Sequence, residues 1–101
     1  MLTLPIKKKW FDMILSGEKK EEYREIKPYY DSRFRFVDYP DLKTKTIQSA
    51  TTIRFRNGYS KQDPMIECRV CIKKGYGKPE WGAEPNKLYY VLKILKVERV
   101  K

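Results

Sequence analysis

Apolar positions along this chain change period several times, and each change marks an element. Residues 2–4 are apolar and β-prone and predict a short first strand that stops at Pro5. In KKKWFDMILS, residues 7–16, Trp10, Phe11, Ile14 and Leu15 recur on one helical stripe. They predict a short amphipathic helix, with Gly17 as its left-handed stop. Lys7, Lys8 and Lys9 crowd the first turn, where the helix dipole disfavours cations. A local conflict of this kind sometimes marks a site. Residues 19–26 hold few strand formers besides Tyr23 and Ile26, so local β propensity there is weak. Pro28 opens PYYDSRFRF, a second short helix or aromatic-rich turn in which Tyr29, Arg33 and Phe36 recur at helical spacing. Residues 38–50 are polar and irregular. TTIRFRNG alternates, with Ile53 and Phe55 inward and Thr52, Arg54 and Arg56 outward. Asn57-Gly58 begins a turn that Pro64 closes. A strand at 65–73, a loop at 75–86 and a long last strand in LYYVLKILKVERV complete the chain. In that last segment Tyr89, Tyr90 and Val91 favour β over helix. The sum is a mainly β, α+β domain of four or five strands and two short helices, and a small barrel best manages its edges.

Composition narrows this further. The 101 residues fit one domain, 1–101, with 41% hydrophobic residues for a modest core. Lys and Arg total 23 against 13 Asp and Glu, a net charge of +10. So basic a domain attracts polyanions, with nucleic acid the first candidate. No run of 18 apolar residues is present, so no membrane partner is expected. In MLTLPIKKKWF the charges follow the apolar stretch, the wrong order for a secretory signal, and a cytoplasmic location is expected. The chain has no histidine, which excludes Ser-His-Asp and Cys-His nucleophile activation. Any general base must be a carboxylate, a lysine or a tyrosine. Cys68 and Cys71 form a CxxC, but strand alternation sends them to opposite faces, and a structural zinc site wants four ligands. No metal or other cofactor is expected; Cys68 reads as core and Cys71 as a surface thiol.

GEKKEEYR, residues 17–24, mixes three acids with three bases directly after the helix stop. A solvated strand explains it cheaply, because each surface pair is worth at most about 1 kcal/mol. A second reading starts from position. On a strand, Lys20, Glu22 and Arg24 share one face, and Lys19, Glu21, Tyr23 and Glu25 share the other. One face must look towards the inside or mouth of a small barrel, where charges are desolvated and have to pair. Strict alternation separates Lys19 from Glu22, so they converge only through a bulge or twist after Gly17.

Gly17, Lys19, Glu22 and Arg24 match the pattern G-x-K-x-x-E-x-R after a short N-terminal helix. In this the chain resembles the ASCH (activating signal cointegrator homology) domain of the PUA-like superfamily, especially its small stand-alone bacterial and phage members. FRNGYS at 55–60, and KPEWGAEP at 78–85 before YYVLKI, extend the likeness over nearly the whole chain. The resemblance implies a small PUA-like β-barrel of about five strands with two short flanking helices, and a cleft whose floor carries the four motif residues. It also implies binding of RNA or another nucleic acid. One ASCH branch consists of amidohydrolases that deacetylate acetylcytidine with a lysine, a threonine and a glutamate. Lys19 corresponds to the lysine, but Glu22 stands where the threonine belongs, and Glu80 or Glu84 would have to supply the distant glutamate. Glu22 would then have to activate water with Lys19 as its partner.

Other residues offer contacts for a polyanion. Arg54 and Arg56, with Lys73 and Lys74, are candidates for a phosphate-tracking stripe. Tyr59 and Trp81 sit in glycine-containing loops and could stack a base, although Trp81 also reads as a plug over the barrel mouth. Trp10, Phe11, Tyr29, Tyr30, Phe34 and Phe36 read as core. The expectation is a cleft formed by Lys19, Glu22 and Arg24 that binds RNA or a nucleotide, with DNA as a further possibility. The alternatives are a hydrolase of a modified nucleoside using Lys19, Glu22 and Glu80, and a module whose basic face meets an acidic protein.

Overall fold

Two strands and two helices alternate in the first half of the chain, and three strands make up most of the second. The computed structural model describes residues 1–34 and 50–100. Strand β1 is Thr3–Ile6, helix α1 Lys8–Ser16, β2 Glu21–Glu25, α2 Pro28–Phe34, β3 Thr51–Asn57, β4 Met65–Tyr76 and β5 Leu88–Arg99. A single 3₁₀ turn, Pro79–Trp81, sits in the β4–β5 connection. The sheet order is β1-β3-β4-β5-β2. β1 pairs parallel with β3, and the other three pairings are antiparallel. The sheet curls into a half-barrel with β1 and β2 as its two edges. This is the expected mainly β, α+β architecture, with two short helices.

The inner face follows from alternation. Ile53 and Phe55 of β3, Ile66, Cys68, Val70 and Ile72 of β4, and Tyr90 and Leu92 of β5 are all buried in one cluster. Phe11 and Ile14 of α1 and Phe34 of α2 close over it, with Trp10, Leu15 and Tyr30 packed at its margin. A register shift between Arg69 and Val70 bends the long β4–β5 ribbon. Gly17 ends α1 in the left-handed conformation, φ 86°, as its position predicts. Across the sheet, Tyr23, Ala83, Tyr89 and Val91 form a second, smaller cluster under the β4–β5 connection.

Three expectations need correction. β1 does not stop at Pro5 but runs through it to Ile6. Pro5 lacks an N–H, and an edge strand does not need one on its open side. Tyr29 is not core: it is 48% exposed, and the Arg33 guanidinium lies 3.5 Å from its ring centroid. The cysteine strand is longer than 65–73, reaching Tyr76, because it pairs with β5 all the way to Leu88. Phe36 and nearly all of the 38–50 segment lie outside the described residues.

Candidate functional site

Lys19, Glu22 and Arg24 meet at the seam between the two sheet edges. β2 begins only at Glu21, so Lys19 belongs to the extended approach after Gly17, where strand alternation does not apply. Its backbone N–H donates to the Met13 carbonyl, which fixes the approach against α1. The side chain then turns inward and is 1% exposed. Its ammonium has three oxygen partners: the Glu21 carbonyl, the Trp81 carbonyl at 2.8 Å and Glu22 Oε1 at 3.3 Å. The Trp10 and Tyr23 ring centroids lie 5.1 and 4.8 Å from Nζ. Burial lowers the Lys19 pKa from its ordinary value, and the Glu22 charge opposes that shift. An ammonium has three protons to give, and all three are matched here.

Glu22 is 7% exposed and is held between two cations. Oε1 faces Lys19, and Oε2 accepts from Arg24 Nη2 at 2.8 Å. Glu22 and Arg24 share the inner face of β2, two residues apart, as alternation predicts. Arg24 Nη2 also donates to the Pro5 carbonyl at 2.8 Å, and Nη1 to the Tyr30 hydroxyl at 3.2 Å. The guanidinium thus bridges β2 to β1 across the open side of the curled sheet, where no backbone pairing joins them. Its Nε is buried without a partner.

A cleft of about 340 Å³ opens beside this cluster. Glu22 and Arg24 line it, together with Lys7, Lys8, Trp10 and Tyr59. Tyr59 is 88% exposed at its rim, on the β3–β4 turn. Lys7 is the N-cap residue of α1 and makes no side-chain cap. Two of the three cations at the positive end of the helix dipole, Lys7 and Lys8, therefore stand at the cleft; Lys8 is paired with Asp12 one turn on, and an anion would relieve Lys7.

Other expected residues lie elsewhere. Lys19 and Trp81 are absent from the cleft wall: Lys19 is sealed behind Trp10 and Tyr23, and Trp81 contributes its backbone carbonyl. The Trp81 ring is half-buried with Lys78 Nζ 4.6 Å from its centroid. Glu80 is exposed on the 3₁₀ turn and makes no ion pair among the described residues. Arg54 is engaged by Glu67 at 3.1 Å. Arg56 donates to Met65 Sδ, and its Nε is buried without a partner. Lys73 and Lys74 are exposed near the other end of β4, on the order of 20 Å along the strand from Glu67 at ~3.3 Å per residue. The four basic residues therefore fall into two separate pairs, and none of them lines the cleft. Cys68 is buried and Cys71 half-exposed, on opposite faces of β4.

The residues missed from sequence are Lys7, Lys8 and Asn57 in the cleft wall, and Tyr30 behind Arg24. The dipole conflict pointed at the lysines, and the Asn57-Gly58 turn pointed at the rim. Nothing local places Tyr30 against Arg24. Comparison with family models, curated proteins and solved structures returned no match to this chain, so function has to be argued from the site itself.

Proposed function

We propose that this protein is an ASCH-like domain of the PUA-like kind that binds RNA or a nucleotide in the cleft beside Glu22 and Arg24. One observation carries the reading. A buried Lys19–Glu22–Arg24 cluster, matched internally, presents its Glu22 and Arg24 to an open cleft rimmed by Lys7, Lys8 and Tyr59. Burying three charges where an apolar pair would serve stability as well is a cost that a recognition site justifies. The parts have complementary roles. The cations, Arg24 among them, meet phosphate, Tyr59 offers a stacking face, and Glu22 offers a fixed acceptor to a base edge. Lys19 positions Glu22 and does not touch the ligand.

Recognition proceeds without turnover in this reading. A hydrolytic role would need Glu22 to activate water, and both of its carboxylate oxygens are already held, Oε1 by Lys19 and Oε2 by Arg24. The test is a titration with short single-stranded RNA at two salt concentrations, following tryptophan fluorescence, since Trp10 lines the cleft. Affinity should fall with salt by about 0.7 in log–log slope for each phosphate contacted. A signal with acetylcytidine that decays as the nucleoside is consumed, without RNA binding, would replace this reading with the hydrolase. Silence towards both ligands would leave only the acidic protein partner.

A further inference from the structure

The cleft does not end at Arg24. A second hollow of about 470 Å³ lies on its other side, lined by Tyr23, Lys27, Tyr30, Lys87 and Tyr89. Lys7 and Arg24 belong to both walls. The two hollows therefore adjoin, and these two cations form the ridge between them. The ridge is rigid at Arg24, whose guanidinium is fixed by Glu22, the Pro5 carbonyl and Tyr30. The hollows differ in furnishing. The first has the exposed Tyr59 and the buried Glu22. The second has the half-buried Tyr23 and Tyr30, the edge of the buried Tyr89 and two further lysines, with Lys27 Nζ 5.6 Å from the Tyr30 ring centroid. Its two acids, Glu25 and Glu84, are both within 4 Å of Lys87 Nζ, so they hold that lysine in place and are neutralised only in part.

We propose that the two hollows act as lobes of one groove and take two consecutive nucleotides of a single strand, one per lobe, with the phosphate that joins them over the Lys7–Arg24 ridge. This rests on the nucleic-acid reading above and makes it specific: the ligand is a strand and not a mononucleotide. Each lobe falls within the volume range of small-molecule sites. Aromatic surfaces on both sides of a cationic ridge are the arrangement by which single strands are held, bases stacked and backbone tracked. Apart from the shared Lys7 and Arg24, the charges of the second lobe cancel, Lys27 and Lys87 against Glu25 and Glu84, so what it adds beyond the ridge has to come from a base.

The experiment compares ribonucleoside 5′-monophosphates with dinucleoside monophosphates of the same bases, by tryptophan fluorescence at low salt. The two probes carry one phosphate each, and the dinucleoside has the smaller charge, so electrostatics alone favours the mononucleotide. The expected result is that the dinucleoside monophosphate binds about tenfold tighter or better, the scale of one additional stacked base. In the Lys27→Ala/Lys87→Ala variant, which leaves Arg24 and its partners in place, that advantage should shrink severalfold, with mononucleotide affinity unchanged. The charge-matched Lys73→Ala/Lys93→Ala variant, altered only at exposed positions, should keep the advantage. Equal affinity for the two probes overturns the two-lobe inference alone, as does equal loss in the two variants. Failure to bind either probe, or a longer RNA, overturns the nucleic-acid reading with it.

Discussion

The seam cluster and the outer face of the β3–β4 pair use the same residue types to opposite effect. At the seam, Lys19, Glu22 and Arg24 are joined by two ion pairs and anchored to the Pro5, Glu21 and Trp81 carbonyls. On the outer face, Arg54 and Glu67 form one ion pair at 3.1 Å, with side chains 36% and 28% exposed. Neither pairing is stronger by residue type. The difference lies in what surrounds it. Backbone carbonyls and aromatic rings have replaced water at the seam, so each charge there depends on its partners. Water can replace a lost partner on the outer face. A built site thus differs from a charged surface in the number of fixed groups that would be orphaned by removing one member.

The sharpest break between the two regions should come from paired deletions. Glu22→Ala leaves Lys19 and Arg24 buried without their shared anion, and should cost about 3–5 kcal/mol in urea unfolding. Glu67→Ala should cost under about 1 kcal/mol. Similar costs would remove the distinction. A smaller effect is expected from Gly77→Ala. A Cβ there would come within 2.6 Å of both the Tyr23 ring and Ala83. Tyr23 forms one wall around the Lys19 ammonium, so overpacking at Gly77 should cost roughly 1–3 kcal/mol and perturb the seam. No comparable effect should follow at Gly75, where the nearest atom would be 3.7 Å away.

Alkaline titration gives the smallest contrast. Burial, and secondarily the Glu67 charge, pushes the Cys68 thiol up from 9.0 to about 12. The unfolded chain then releases this proton at lower pH than the folded one. The stabilisation is complete below pH 9 and is lost progressively from pH 9 towards 12. Burial raises the Tyr23 phenol in the same direction, whereas lowering of Lys19 acts oppositely. Cys68→Ala should therefore show a shallower loss of stability between pH 9 and 10 than the parent protein, read from urea midpoints at each pH. Identical slopes would mean that Cys68 is not in the dry interior.

The elements were largely legible in the sequence, because alternation and helical stripes are local. α1, its Gly17 stop, the inward residues of β3 and the split faces of Cys68 and Cys71 all follow from neighbours a few positions away. The site was legible only in part. Glu22 and Arg24 share a face because they are two apart in a strand. Lys19 joins them because β2 starts late and because the Trp81 carbonyl, 62 residues on, waits for its ammonium. No local rule carries that distance. Pro5 in a strand, its carbonyl held by Arg24, was hidden for the same reason. Arg54–Arg56 and Lys73–Lys74 sit beside opposite ends of β4, a separation that counting cations does not show.

The central claim is that the cleft beside the seam, and not the outer face, receives nucleic acid. The direct measurement is RNA affinity of two fold-safe double variants at one salt concentration. Lys8→Ala/Tyr59→Ala removes exposed cleft residues and one positive charge, and Lys73→Ala/Lys74→Ala removes two positive charges from the sheet end. The cleft variant should lose about tenfold or more in affinity, combining a phosphate contact with a stacked base, and the sheet variant less than about threefold. Equal losses, or a larger loss in the sheet variant, would contradict the account and return GEKKEEYR to a structural role.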